Sequence, residues 1–173
     1  MVRHRGVLLL DTNVILEAHR TGSWRALVGG YRVETVEDCV TETQTGFQRR
    51  RPEQQIDGAG LRASLGAVHS VGDLERAELK IRTPDIELDI GEASLWAHAL
   101  SRTDEWVLCG PDKASLRCGI RLGFRERLAP LEGLLDDVGH RPGTALRTQY
   151  TRRWHERELG KLILMEMEGD EFA

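Results

Sequence analysis

The 173 residues, 40% hydrophobic and 30% charged, suit one globular domain with room for an appended element. A net charge of −4 excludes generic coating of DNA, which calls for a basic domain, although arginines cluster locally. Cys39, Cys109 and Cys118 form no CxxC pair or disulfide framework, and no apolar run reaches the roughly 20 residues that span a bilayer, so the chain reads as soluble and cytoplasmic, with reduced thiols and no membrane partner.

The first apolar run, Val7 to Leu10, lies between Gly6 and Asp11, as expected of a strand buried on both faces. A short helical stripe follows on Val14, Ile15 and Ala18, ended by Thr21-Gly22. Ser23 is placed to cap a second short helix carrying Trp24, Leu27 and Val28, which Gly29-Gly30 stops. Tyr31 to Val36 predicts a second strand and residues 37 to 46 a helix. Residues 48 to 60, with Arg49-Arg50-Arg51-Pro52 near their start, read as a polar surface loop. A weak third strand is expected near Ala67 to Val71, then a helix from a capping Asp73 to about Arg82, and a strong helix from Asp89 to Arg102. Trp106 to Cys109 predicts a fourth buried strand, followed by Gly110-Pro111-Asp112 and a helix through Ile120. Residues 123 to 128 are expected to form a fifth strand and Leu131 to Val138 a short helix. This alternation implies a parallel sheet with helices on both faces, a three-layer α/β/α domain over residues 1–138. Residues 139–173 then comprise a hinge, a helical extension over about 144 to 168, and an acidic tail.

Four carboxylates stand where this architecture can gather them. Asp11 and Asp112 follow buried strands at the ligand-binding edge of the sheet, Glu42 lies on the helix after strand two, and Glu92 is in the first turn of the Asp89 helix. Carboxylates without histidines suit Mg²⁺ or Mn²⁺ better than Zn²⁺. Such ions activate a water and stabilise the leaving oxygen of a phosphodiester. Each residue also has a structural use. Asp11 and Asp112 suit helix N-caps, Asp89 and Glu92 fit a capping box, and Glu37 and Asp38 compete with Glu42 on one helix. Gly91, costly by about 1 kcal/mol in a helix, suggests a close approach there.

Taken in order, Leu8-Leu9-Leu10-Asp11-Thr12-Asn13, Gly91-Glu92-Ala93-Ser94-Leu95-Trp96 and Val107-Leu108-Cys109-Gly110-Pro111-Asp112-Lys113 resemble the motifs of PIN-domain ribonucleases, in a prokaryotic, VapC-like branch related to toxin–antitoxin toxins. The resemblance covers roughly residues 6 to 138. It implies a five-stranded parallel α/β/α fold, a Mg²⁺ or Mn²⁺ site on Asp11, Glu42, Glu92 and Asp112, and endonucleolytic cleavage of RNA. It also implies Asn13 and Arg117 as residues lining the substrate, a homodimer, an antitoxin-like protein partner, and a role as the toxin of such a pair. Pro111 and Lys113 depart from the family's last motif, where a second acidic residue is common. Lys113 has two readings: it lines the substrate by holding a phosphate, or its charge weakens metal binding, which supports a rival expectation, a PIN-like scaffold that binds RNA or a protein without catalysis.

Arg49-Arg50-Arg51 reads as a solvated loop or as a grip on RNA phosphates. The six histidines show no HxxxH spacing, so none is assigned to a metal, and Trp24, Trp96 and Trp106 read as core. Trp24, Leu27 and Val28 are the residues expected to serve a dimer contact.

Overall fold

Val7–Leu10 (β1) becomes an inner strand of a parallel sheet, between Arg32–Val36 (β2) and Trp106–Cys109 (β4), with Ala67–His69 (β3) beyond β2. The computed structural model describes residues 6–45, 52 and 55–170, and among them the sheet has four strands in the order β3-β2-β1-β4. Leu9 stands opposite Glu34 of β2 and Leu108 of β4. The unbroken apolar run of β1 is explained by what covers it. Leu8 and Leu10 face a cluster with Val14, Ile15, Leu27 and Leu131, while Val7 and Leu9 face one with Leu95, Trp96, Leu108 and Leu116. With water on neither face, alternation has no use. Burying each leucine contributes roughly 2 kcal/mol.

The helices are Thr12–Arg20 (α1), Trp24–Gly30 (α2), Glu37–Gln44 (α3), Gly58–Ser64 (α4), Asp73–Arg82 (α5), Ile90–Ser101 (α6), Lys113–Arg121 (α7), Leu131–Asp137 (α8) and Arg152–Asp170 (α9). The α/β class with a parallel sheet is therefore present. The fifth strand is not formed among the described residues. Gly123 takes a left-handed φ of +80°, Phe124 N–H turns back to the Gly119 carbonyl (2.8 Å), and Arg125–Arg127 is a 3-10 turn. This closure of α7 consumes the segment, so Leu128 alone bridges to Leu108.

Other local expectations shift for physical reasons. The polar stretch expected to run to residue 60 gives way to α4 at Gly58, because Asp57 caps the Gly60 N–H (2.8 Å). Arg49, Arg50 and Arg51 lie outside the described residues. Ser23 does not cap α2; its hydroxyl lies 2.9 Å from that of Thr21 and 3.2 Å from His140 Nε2, which ties down the expected hinge. Trp24 and Leu27 are buried in the chain's own core, so they are not the exposed contact that a dimer was expected to use. Trp96 and Trp106 are likewise core.

The helix expected from residue 144 begins at Arg152. The chain before it turns through a 3-10 segment, Thr148–Tyr150, that carries Tyr150 into the core. Leu162 is buried on the opposite cluster, with Trp154 and Leu159 packed beside it. Glu158 meets Lys113 near the start of α7, and Glu166 meets Arg117 and Arg121 further along it, so α9 runs alongside α7 in the same direction. No helix among the described residues is long and apolar enough to cross a membrane.

Candidate metal centre

The strand order places a switch point between β1 and β4: the chain leaves β1 toward β2 on one side and reaches β4 on the other. Crevices at the carboxyl ends of such strands are where open α/β sheets bind ligands. Asp11 and Asp112 stand there. Asp11 caps α1, its Oδ2 accepting the Asn13 N–H at 3.3 Å, and its own N–H extends the ladder to the Cys109 carbonyl (3.1 Å). Asp112 caps α7 through the Ala114 N–H (2.8 Å) and is exposed. Gly110 lets the two strand ends close up, since a Cβ on it would lie 3.3 Å from that of Asp11.

Glu92 arrives from α6. Its N–H donates to Asp89 Oδ1 (2.8 Å), and its Oε2 accepts the Asp89 N–H (3.3 Å). This is the capping box read from the sequence, and it also fixes an acidic pair at the site. Glu42 arrives from α3. Thr12 donates its hydroxyl to Glu42 Oε2 (2.7 Å), and the Gly91 N–H donates to Oε1 (3.0 Å). The two competitors on α3 are engaged elsewhere: Glu37 with Arg62, and Asp38 with Ser94 and Arg76.

The electrostatics show what these elements have brought near one another. Asp11 is only 3% exposed, and burial, reinforced by the charges of Asp89 and Glu42, pushes its carboxyl up to about 7 despite the helix N–H groups that oppose the shift. Glu92, 5% exposed, is pushed up to about 8, first by burial and then by Asp112, Asp89 and Asp11. Asp89, read from the sequence only as a cap, thus belongs to the acidic group. Its three-residue spacing from Glu92 is the signal that could have found it.

The carboxylates are neighbours without converging on one point. No three of Asp11, Glu42, Glu92 and Asp112 place donor atoms within 4.8 Å of each other; the group that does so among the described residues is Glu34, His69 and His98. An oxygen-only donor set around two buried, mutually repelling carboxylates fits a hard divalent cation that keeps part of its water shell. A dehydrated, all-protein cage would require closer donors.

Around these groups, Asn13 is exposed and its carbonyl accepts the Tyr150 hydroxyl (3.2 Å). Lys113 lies 3.3 Å from the buried Glu158. Arg117 is tied to Glu166 and to Asp85 (2.7 Å). Thr12, Tyr150 and Glu158 were not singled out for the site from the sequence. A hydroxyl beside Asp11 was a readable signal for Thr12, whereas nothing local marked the other two. Comparison with known protein families and with curated proteins finds no match.

Proposed function

We propose that this chain is a divalent-metal-dependent endoribonuclease of the PIN type that hydrolyses RNA phosphodiesters. The observation that carries the reading is the pair of buried carboxylates, Asp11 and Glu92, at the β1–β4 switch point, each pushed toward or above neutral pH by burial and acidic neighbours. Such a pair favours a bound cation. Asp11 and Asp112 would hold Mg²⁺ or Mn²⁺, with Glu92 and Glu42 serving a second ion or acting through water. When bound, the ion supplies an activated water and charge for the leaving oxygen.

The chain's own groups set the geometry. Thr12 and the Gly91 N–H fix both oxygens of Glu42, and Asp89 holds Glu92 by its backbone. Asn13 beside Asp11 and Lys113 beside Asp112 flank the carboxylates as candidate contacts to RNA, and Arg117 joins them if Asp85 and Glu166 release it. A homodimer, an antitoxin-like partner, a cytoplasmic setting and a toxin's role belong to the same proposal.

The test is cleavage of single-stranded RNA by the purified chain with Mn²⁺, stopped by EDTA. Asp11→Asn and Asp112→Asn should each slow it by on the order of 100-fold, about 2.7 kcal/mol of barrier. Unchanged rates in both variants would assign the activity to a contaminant. The wide spacing of the donors favours a second reading, a PIN-like scaffold that binds RNA or protein without catalysis. A chain that takes up no Mn²⁺ in calorimetry yet still binds RNA would decide for it.

A further inference from the structure

Glu34, His69 and His98 form a second cluster, built from β2, β3 and α6. Glu34 is 2% exposed in the middle of a strand, where an apolar residue would be the cheaper choice. His69 Nε2 lies 2.7 Å from Glu34 Oε2, and the His69 and His98 rings stack with centroids 4.0 Å apart. Arg102 donates through Nη1 to Glu34 Oε2 (2.8 Å), and the same nitrogen stands 2.9 Å from His98 Nε2. A guanidinium has no lone pair to offer, so His98 presents its own at Nε2. A cationic nitrogen therefore already occupies the place on which a carboxylate oxygen and an imidazole nitrogen are trained. One donor atom from each of Glu34, His69 and His98 lies within 4.8 Å of the others.

We propose that these three residues are a Zn²⁺ site, with the guanidinium of Arg102 as the cation that zinc displaces. Two imidazoles and one carboxylate match zinc's preference and leave a fourth position open. Arg102 has somewhere to go: Asp104 already holds it through Nε (2.8 Å) and Nη2 (2.6 Å). Arg32 still balances the other oxygen of Glu34 (2.6 Å). Ligation needs His69 in its Nδ1–H form and one of the two stacked rings turned so that both nitrogens face the ion in plane, and the His69 side chain, 31% exposed, has room to turn and gives the ion a way in. His98 lies six residues beyond Glu92, about 9 Å along α6, so this site is separate from the carboxylates. Zinc there would clamp β3 to β2 and α6.

The test uses the full chain, stripped with chelator and titrated with Zn²⁺ by calorimetry and with Co²⁺ by visible absorption. The expected result is roughly one equivalent of zinc at micromolar affinity or tighter and strong four-coordinate cobalt bands, both retained in Asp11→Asn. His69→Gln and His98→Gln should each weaken zinc at least about tenfold, and Arg102→Gln should strengthen it by removing the competing cation. His69→Gln, on a partly exposed side chain, decides the matter even if an interior variant fails to fold. Absence of uptake by the unmodified chain, uptake indifferent to His69→Gln, or uptake lost in Asp11→Asn would each overturn the site and leave an ion-pair network around Glu34.

Discussion

Gly91 and Glu42 meet so closely that no side chain fits between them: a Cβ on Gly91 would stand 2.6 Å from Glu42 Oε2, where the Gly91 N–H now donates to Oε1. The glycine that looked costly inside a helix start is thus the docking point of a carboxylate from another helix. Gly91→Ala should move the carboxylate rather than unfold the chain, because the clash falls on the far end of a flexible side chain. Alanine should recover up to about 1 kcal/mol of helix propensity. We expect unchanged or higher thermal stability together with Mn²⁺ affinity lowered about 10- to 100-fold, as when a ligand's supporting bond is removed. A fall in stability with unaltered Mn²⁺ affinity would show that Glu42 plays no part in the site.

Asp11 and Glu92 make a prediction about pH. Burial raises both carboxyls in the folded chain, to about 7 and about 8, above their ordinary values. A raised carboxyl favours the folded state while protonated, so its contribution is full below the unfolded value near 4 and is lost as pH rises toward 7–8. Metal-free protein should therefore lose stability between pH 5 and 8, and Asp11→Asn or Glu92→Gln should be more stable than the parent at pH 8, by on the order of 2–4 kcal/mol. Millimolar Mn²⁺ should reverse that order, since only the parent gains binding energy. Urea titrations at pH 5 and 8, with and without Mn²⁺, measure all of this. A parent chain more stable than both variants at pH 8 without metal would contradict it.

Where the candidate carboxylates stand in the fold was largely legible, because their positions follow from local signals. Asp11 and Asp112 end apolar runs, and Glu92 sits in a capping box, so strand ends and helix starts fixed where they belong. The sequence names Glu42 with Glu37 and Asp38 as competitors, and no local signal separates them, because the partners that engage those two, Arg62, Arg76 and Ser94, come from other elements. The fifth strand failed for a similar reason: a C-terminal closure of α7 at Gly123 won over the strand pattern of residues 123 to 128. His69 and His98 escaped a search for HxxxH spacing because they stand on different elements and meet only through the fold.

Glu17 makes the third prediction. It is 1% exposed on α1 and accepts Arg20 through both oxygens (2.8 and 2.6 Å) and the Arg147 N–H at Oε1 (2.8 Å), while Arg20 reaches the Ala145 carbonyl (2.8 Å). This latches residues 145–147 to α1. Burial pushes the Glu17 carboxyl up, but the bonds from Arg20 and Arg147 outweigh it and hold it below the ordinary glutamate value. A lowered carboxyl contributes stability above the unfolded value that is lost as pH falls through the folded one. Glu17→Gln should cost roughly 2–4 kcal/mol at pH 7 by stranding Arg20. The gap from the parent should narrow as pH falls below about 4. A gap that stays constant with pH would mean that packing, not the ion pair, sets the cost.

The last prediction concerns the segment after Gly139. Were it a detachable regulator, its removal would give a soluble and more active nuclease. Its contacts point to structure instead. Tyr150 is 4% exposed in one core cluster and donates its hydroxyl to the Asn13 carbonyl, and Leu162 is 8% exposed in the other. Glu166 bridges Arg117 and Arg121 of α7. Three arginines of the segment are held in ion pairs, Arg147 with Glu17, Arg152 with Asp136 and Arg157 with Glu158. Tyr150 and Leu162 alone bury roughly 4–6 kcal/mol of apolar surface, comparable to the whole stability of many domains. Truncation after Gly139 should therefore abolish cooperative unfolding, seen as loss of a sigmoidal urea transition. Tyr150→Phe keeps the ring and removes only the hydroxyl, so it should fold with a loss of about 1 kcal/mol. A truncated chain that unfolds cooperatively and cuts RNA faster than the full chain would reject the structural role and make the segment a regulator.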